Sequence, residues 1–196
     1  MIEIEKKFVV TEDAKKRIFD NAEFVKTIMF TDVYYDTQDF ALTCSDRWLR
    51  RRDERMELKI PLPMENYRSR RIDQYRELEN DNDIATELGI FMTNSSLCDS
   101  LEKNGFISFA TITTTREVYK SGDLNIVFDK ADFGYNVGEI EMMVESENEM
   151  EIAIKNILDY ANRIGVTLVS INGKLTEFIK RNDPAHYQKL IDSEVI

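Results

Sequence analysis

The chain has 196 residues, of which 42% are hydrophobic and 32% charged, a composition typical of one globular domain with a substantial core. Its formal net charge of −11 at pH 7 argues against binding to nucleic acid or to an anionic membrane surface, because both repel an acidic protein. Two cysteines are too few for a disulfide framework, and no apolar segment approaches the roughly 18 residues of a membrane span. We therefore expect a cytoplasmic monomer that forms a single domain over residues 1–196.

The first ten residues, M-I-E-I-E-K-K-F-V-V, alternate in a way that predicts a β-strand. Successive side chains of a strand point to opposite faces, so Glu3, Glu5 and Lys7 share one face while Ile2 and Ile4 share the other. The same charged alternation recurs in later segments. We interpret this recurrence as a set of charged faces that point towards one another.

The rest of the chain has the pattern of short strands with helices between and after them. A helix is predicted from Thr11 to about Asn21, and an extended segment from Glu23 to Thr37. Further strands are predicted at Trp48–Arg52, Met56–Ile60, Gln74–Glu79, Phe106–Val118, Leu124–Phe128 and Val137–Val144. Further helices are predicted at Asp81–Phe91, Ser95–Asn104, Glu149–Ile164, Asn172–Asn182 and Pro184–Ile191.

About eight strands with short connections predict an antiparallel sheet within an α+β fold. Five strands carry two charges at positions i and i+2 with apolar residues between them. If the strands close into an eight-stranded antiparallel β-barrel with flanking helices, these charges line a polar tunnel and no sheet edge stays exposed. Pattern alone leaves the alternative open that each charged face is simply solvated.

The residues on the charged faces indicate which ligand such a tunnel would hold. Five basic residues exceed what a single phosphate needs, because arginine binds phosphate oxygens in pairs and lysine adds a point charge, so a polyphosphate chain is favoured. Carboxylates repel that chain unless a hard divalent cation such as Mg²⁺ bridges the two and activates a water for attack. The basic residues are Lys7, Arg50, Arg52, Lys59 and Arg116, and the acidic ones are Glu3, Glu5, Glu57, Glu77, Glu139 and Glu141.

Several motifs together resemble one known family. The segment Glu3-Ile4-Glu5-Lys6-Lys7 matches the E-x-E-x-K signature of the CYTH, or triphosphate tunnel metalloenzyme, superfamily. Within that superfamily, the order of the other motifs is similar to that of the animal thiamine triphosphatases over nearly the whole chain. These motifs are Y-Y-D-T at 34–37, W-L-R-R-R at 48–52, E-L-K at 57–59, A-D-F-G-Y at 131–135, V-G-E-I-E at 137–141 and K-L at 174–175.

The resemblance implies an eight-stranded tunnel that hydrolyses a triphosphate with Mg²⁺ or Mn²⁺, thiamine triphosphate being the leading substrate. The implied metal ligands are Glu3, Glu5, Glu139 and Glu141. The implied substrate-binding residues are Lys7, Arg50, Arg52, Lys59, Arg116, Lys174 and Asp129. Trp48 matches a tryptophan associated with the thiamine ring, whose thiazolium cation is attracted to an indole face; a tryptophan of the core or rim is the alternative. We expect Lys59 and Glu5 to take part in catalysis.

One departure from the family pattern leaves the second metal site and the substrate open. The acidic D-x-D stretch of the family reads Val127-Phe128-Asp129 here, so its first aspartate, a metal ligand in the animal relatives, is missing. An inorganic tripolyphosphatase is therefore the alternative enzyme. A class IV adenylate cyclase, which also belongs to the superfamily, is less favoured because the motifs of this chain are of the animal type. A module that binds polyphosphate without catalysis is the alternative outside the enzymes, although four retained glutamates favour catalysis.

Two further features lie outside these motifs. His186 is the single histidine and lies in a predicted C-terminal helix, where we expect it on the surface, so a mechanism based on histidine is disfavoured. Arg68, Arg70 and Arg71 form a basic loop that is either solvated or meets the incoming anion.

Overall fold

A computed structural model describes residues 1–62, 72–92, 96–166 and 171–196 of the chain. Its strands are β1 (Ile2–Phe8), β2 (Glu23–Thr37), β3 (Trp48–Arg52), β4 (Arg55–Pro61), β5 (Asp73–Leu78), β6 (Phe106–Ser121), β7 (Leu124–Ala131) and β8 (Tyr135–Val144). Its α-helices are α1 (Glu12–Phe19), α2 (Asp81–Leu88), α3 (Leu97–Lys103), α4 (Met150–Arg163), α5 (Lys174–Asn182) and α6 (Pro184–Asp192).

The strands form a closed antiparallel barrel in the order β1-β5-β4-β3-β2-β6-β7-β8. Closure depends on β1, which pairs with β5 along one edge and with β8 along the other. Paired residues of adjacent strands place their side chains on the same face. The predicted α+β fold, a closed eight-stranded barrel with flanking helices, is therefore confirmed.

Apolar side chains cover the outer face of the barrel, and the helices pack onto them. One cluster lies against α1 and α4, a second against α2 and α3, and a third against α5 and α6. Buried members of the three clusters are, in turn, Ile4 and Ile157, Leu58 and Leu101, and Ile112 and Ile179. Since the apolar faces lie outside under the helices, the charged faces turn inwards, as the alternation predicted. No described helix combines the length and the apolar character needed to cross a membrane.

Local chemistry explains where several elements begin and end. The Thr11 hydroxyl accepts a hydrogen bond of 3.1 Å from the Ala14 backbone N–H and so caps α1. Helix α2 ends at Leu88, earlier than predicted, because Gly89 adopts a φ of +68° and stops the helix.

A close contact also fixes one residue type where β1 meets β8. Gly138 on β8 pairs with Phe8, and a Cβ added at Gly138 would overlap the Phe8 ring. Only glycine therefore fits this seam of the barrel.

Strands β6 and β7 extend further than the sequence pattern predicted. Strand β6 continues to Ser121 and β7 to Ala131, joined by the two residues Gly122 and Asp123. Gly122 has a φ of +62°, which suits a tight connection between antiparallel strands. A turn over residues 132–134, with Gly134 at a φ of +80°, connects β7 to β8. The basic loop with Arg68, Arg70 and Arg71 lies outside the described residues.

The prediction that His186 lies on the surface is wrong. Its side chain is fully buried and stacks on the Phe40 ring with 3.7 Å between ring centroids. Its Nε2 shares a hydrogen bond of 2.7 Å with the Thr43 hydroxyl, and burial lowers the pKa of the imidazole. His186 thus connects α6 to the segment that precedes β3. The sequence around His186 did not reveal this burial, because the contacts come from distant residues.

Candidate active site

A cavity of about 670 Å³ occupies the barrel interior, within the volume range of typical small-molecule sites. Both signs of charge line it. The predicted basic residues Lys7, Arg50, Arg52, Lys59, Arg116 and Lys174 all line this cavity, as do the predicted metal ligands Glu3, Glu5, Glu139 and Glu141. The charged faces of separate strands therefore meet in one lumen.

Three carboxylates form a compact group where the first and last strands meet. Glu3 and Glu5 lie on β1, and Glu141 on β8 is the direct cross-strand partner of Glu5. One carboxylate oxygen from each of the three lies within 4.8 Å of the other two. Ligand atoms at such separations can coordinate a single cation.

Burial and neighbouring cations set the ionisation of the three carboxylates. Burial raises the pKa of Glu3 to about 8 and that of Glu141 to about 7. Burial acts in the same direction on Glu5, but Lys7 and Lys59 outweigh it and hold the pKa of Glu5 well below its usual range. A cation among the three oxygens would favour the charged form of each.

The donor set fits a hard divalent cation. Carboxylate oxygens are the ligands that Mg²⁺ and Mn²⁺ prefer, and a cavity that is polar leaves room for ligand waters or phosphate oxygens. Such an ion would be held by Glu3, Glu5 and Glu141. It would supply positive charge against a phosphate chain and lower the pKa of a water molecule. Glu139 lies outside this group of three, and its assignment as a metal ligand stays a prediction.

The cations on one side of the lumen are held by carboxylates of neighbouring strands. Lys7 Nζ lies 2.5 Å from Glu5 Oε1 and 2.7 Å from Asp73 Oδ2. Lys59 Nζ donates to Glu3 and lies 3.4 Å from Glu77 Oε1. Both ammonium groups thus face the lumen beside the acidic group.

A second set of cations is held by Asp129. Arg116 donates to both oxygens of Asp129, at 2.6 and 2.7 Å, and its Nη2 also donates to Glu139 Oε2 at 3.0 Å. Lys174, the first residue of α5, donates to the same Asp129. Although burial opposes it, Lys174 and Arg116 lower the pKa of Asp129 to about 2. Asp129 therefore orients two cations, and its direct contact with substrate stays a prediction.

Arg50 and Arg52 on β3 complete the basic lining. Arg52 donates to both oxygens of Asp32 at 2.8 and 2.9 Å, and Arg50 Nε donates to Glu57 Oε2 at 2.7 Å. Asp32 on β2 is fully buried, so it is the fixed anchor of this pair. Guanidinium groups held in this way present their remaining N–H donors without further ordering.

Trp48 also lines the cavity, and its indole is fixed by two partners. The indole N–H donates to Asp46 Oδ1 at 2.8 Å and lies 3.2 Å from the Tyr75 hydroxyl oxygen. The Tyr75 hydroxyl donates to the same Asp46 oxygen at 2.7 Å. Because the polar edge of the ring is engaged, the indole offers its π faces to a ligand.

The sequence analysis missed several residues that hold the site together. Asp32 lacks the signal that marked the other charged faces, because its neighbours two positions away, Phe30 and Tyr34, carry no charge. Asp46 had no such signal, since it lies between a short 3-10 helix and β3. Val127, which replaces the expected aspartate, is buried and pairs with Glu139, so this position offers no ligand atom.

Residues 1–171 of the chain match the CYTH domain family. The chain belongs to the CYTH family. Members of this family depend on metal in general, in agreement with the group of three carboxylates. The chain is also 30% identical to the human thiamine-triphosphatase over 211 aligned positions, which cover 98% of this chain and 90% of the human protein. The enzyme of Macaca fascicularis with the same name is 29% identical over the same share.

Solved structures show the same CYTH fold at lower identity. PH1819 of Pyrococcus horikoshii superposes with a TM-score of 0.64 at 21% identity, covering 92% of this chain and 99% of that protein. HpAC1 of Hippeastrum, which is named as an adenylyl cyclase and has a dominant triphosphatase activity, superposes with a TM-score of 0.55 at 19% identity, covering 91% and 96%. At these identities the likeness extends to the fold alone.

Proposed function

We propose that this CYTH protein hydrolyses the terminal phosphoanhydride bond of a triphosphate, and that thiamine triphosphate is the leading substrate. The observation that carries the proposal is that one lumen holds six cations from five elements together with a group of three carboxylates. Such a combination suits a polyanion that reaches the carboxylates through a divalent cation. The human relative bears the name of this activity.

The chain's own residues would bind and orient the substrate. Arg50, Arg52 and Arg116 have planar donors that match phosphate oxygens, and Lys7 adds a point charge. Mg²⁺, or Mn²⁺ in its place, would supply charge neutralisation and a more acidic water when bound. The reaction consumes one water, breaks the bond between the terminal phosphorus and the bridging oxygen, and releases diphosphate and inorganic phosphate.

Lys59 and Glu5 are proposed as the groups that act nearest to the reacting atoms. Lys59 stays protonated, because Glu3 and Glu5 outweigh its burial and raise its pKa well above the usual range. A permanent ammonium group can stabilise the negative charge that develops in the transition state. Glu5 stays ionised, so it can accept a hydrogen bond from the attacking water or hold the cation.

The first experiment is a substrate panel. We expect kcat/KM to be highest for thiamine triphosphate when compared with tripolyphosphate and ATP, each measured with Mg²⁺ and with Mn²⁺. A preference of about 100-fold for tripolyphosphate, equivalent to about 2.7 kcal/mol in the transition state, would select the inorganic substrate instead. If none of the three substrates is hydrolysed, the proposed enzymatic activity is wrong. A module that binds polyphosphate without catalysis is then the favoured alternative.

Inorganic tripolyphosphate is the second candidate because of Val127. This buried, apolar residue pairs with Glu139 at a position where the family pattern implies an acid. The cations of the lumen match a triphosphate chain whatever is attached to it. Recognition of an organic group therefore depends on residues such as Trp48.

Trp48→Ala is expected to raise KM for thiamine triphosphate by about 10-fold and to change KM for tripolyphosphate by less than about two-fold. The reason is that a cation–π contact with a desolvated aromatic face contributes up to about 2 kcal/mol, whereas inorganic tripolyphosphate has no cationic ring. Steady-state kinetics with both substrates measure the difference. Phe91→Ala removes an exposed aromatic ring outside the cavity and is the matched control. An equal rise in KM for both substrates would show that Trp48 maintains the shape of the cavity and does not bind the thiamine ring.

A further inference from the structure

Phe30 on β2 places an aromatic ring among the cations of the lumen. Phe30 and Asp32 share one face of the strand, because alternate side chains of a strand point the same way. Asp32 binds Arg52 inside the barrel, so the Phe30 ring lies on the inward face as well. The ring is 5% exposed and therefore faces its charged neighbours rather than solvent.

Three cations lie within cation–π distance of this ring. Arg52 Cζ is 4.0 Å from the ring centroid, and Arg116 Cζ and Lys174 Nζ are each 5.5 Å from it. The face of an aromatic ring is electrostatically negative and attracts a cation within about 6 Å of its centroid. The three cations come from β3, β6 and α5, so one ring connects three separate elements of the site.

The carboxylates of the lumen hold these cations in two separate groups. One carboxylate binds Arg52, whereas Asp129 binds both Arg116 and Lys174. Like charges repel, and the repulsion is strongest where burial excludes water. Burial lowers the pKa of the Lys174 ammonium group, and Arg116 acts in the same direction. The Phe30 ring lies against both groups and offsets part of their repulsion.

The geometry of Arg52 shows what the ring adds to the carboxylates. Arg52 Nε and Nη2 donate to the two oxygens of Asp32 at 2.8 and 2.9 Å, which fixes one edge of the guanidinium group. Its central carbon lies over the Phe30 ring, which restricts the guanidinium group from a second direction. The remaining N–H donors are thus held in place before a ligand arrives.

We infer that Phe30 is a positioning residue, whose ring holds Arg52, Arg116 and Lys174 in one arrangement suited to a phosphate chain. The inference rests on the proposed function, in that these cations bind the triphosphate. Phe30 acts through the cations and does not itself contact the substrate. Donors that are ordered in advance bind more tightly, because less freedom is lost on binding.

Fluorination of the ring distinguishes this role from packing. Each fluorine withdraws electron density from the ring faces and weakens their attraction for cations, while the size of the ring changes little. Trifluorophenylalanine incorporated at position 30 is expected to raise the dissociation constant of tripolyphosphate about 10-fold, equivalent to about 1.4 kcal/mol. Monofluorophenylalanine should give a smaller rise. Calorimetry in EDTA measures binding alone, because without a divalent cation no turnover is expected.

A buried ring elsewhere in the protein provides the matched control. Phe106 is 8% exposed and belongs to the apolar cluster under α2 and α3. Trifluorophenylalanine at position 106 should leave binding within about two-fold of the natural protein, since the substitution is the same and the ring is outside the lumen. An equal loss of binding at both positions would overturn the inference, because fluorination would then act through packing.

Phe30→Leu removes the ring and keeps an apolar side chain. We expect it to weaken tripolyphosphate binding at least as much as trifluorophenylalanine does, with folding checked by circular dichroism. If Phe30→Leu does not fold, the fluorinated proteins decide, because they retain the shape of the ring. A folded trifluorophenylalanine protein that binds as tightly as the natural protein, or more tightly, overturns the inference.

Hydrolysis assays on the natural protein separate this inference from the proposed function. If the natural protein binds tripolyphosphate and fluorination at position 30 weakens binding stepwise, the inference holds even when no substrate is hydrolysed. If the natural protein hydrolyses triphosphates and the fluorinated proteins bind normally, the proposed function holds and the inference fails. If the natural protein does not bind tripolyphosphate at all, the inference is overturned.

Discussion

Glu5→Gln is expected to lower kcat/KM for the preferred triphosphate by more than 100-fold and to weaken Mg²⁺ or Mn²⁺ binding to a similar degree. Glu5 is 5% exposed and is the member of the carboxylate group with the lowest pKa. Glutamine has nearly the same shape but carries no charge, so only the anion is lost. Even loss of a residue that only supports a metal ligand costs about 10- to 100-fold in affinity.

Titration calorimetry and the Mn²⁺ electron spin resonance signal measure this without reference to turnover. Glu12→Gln, at an exposed position of α1, is the matched control and should bind metal as the natural protein does. Thermal unfolding of both variants checks that the barrel stays closed, since Lys7 loses a charged partner when Glu5 is replaced. Unchanged metal affinity in folded Glu5→Gln would show that the three carboxylates are not the metal site.

Lys59→Met is expected to lower kcat by about 100-fold or more while metal binding is retained. An ammonium group fixed beside the reacting atoms stabilises developing charge, and removal of one such donor costs about 10²- to 10³-fold in kcat. Lys59 donates to Glu3, so it competes with a cation for that carboxylate. Its removal therefore leaves metal affinity equal to or higher than that of the natural protein, in contrast to Glu5→Gln.

The comparison of kcat, KM and metal affinity distinguishes the two roles. A rise in KM with unchanged kcat would place Lys59 in substrate binding alone. Weaker metal binding would show that Lys59 organises the carboxylate group rather than acting on the substrate. Lys103→Met, at an exposed position of α3, is the matched control for loss of one positive charge.

The sequence was informative wherever a strand has one charged and one apolar face. Alternation in β1, β3, β4 and β8 placed Glu3, Arg50, Lys59 and Glu141 on inward faces, because strand geometry alone sets that choice. The barrel follows once several charged faces must be enclosed together. Helix ends were less accurate, as at Gly89, because a left-handed residue stops a helix whose apolar pattern continues.

Other parts of the site could not be predicted, because they depend on contacts between distant segments. Asp46 acts through the indole of Trp48 and the hydroxyl of Tyr75, which a loop and two strands bring together. The burial of His186 likewise depends on Phe40 and Thr43, more than 140 residues earlier in the chain.

The pairing of β1 has a consequence for how the protein is made. Both partners of β1 follow it in the chain, and its second edge is completed only when β8, which ends at Val144, has been synthesised. Glu3 and Glu5 lie on one side of this last-formed junction and Glu141 on the other, so the group of three carboxylates does not exist in a chain that is still open. A cation that binds there would act on the folding equilibrium, and at 100 times its dissociation constant it would favour the closed barrel by about 2.7 kcal/mol.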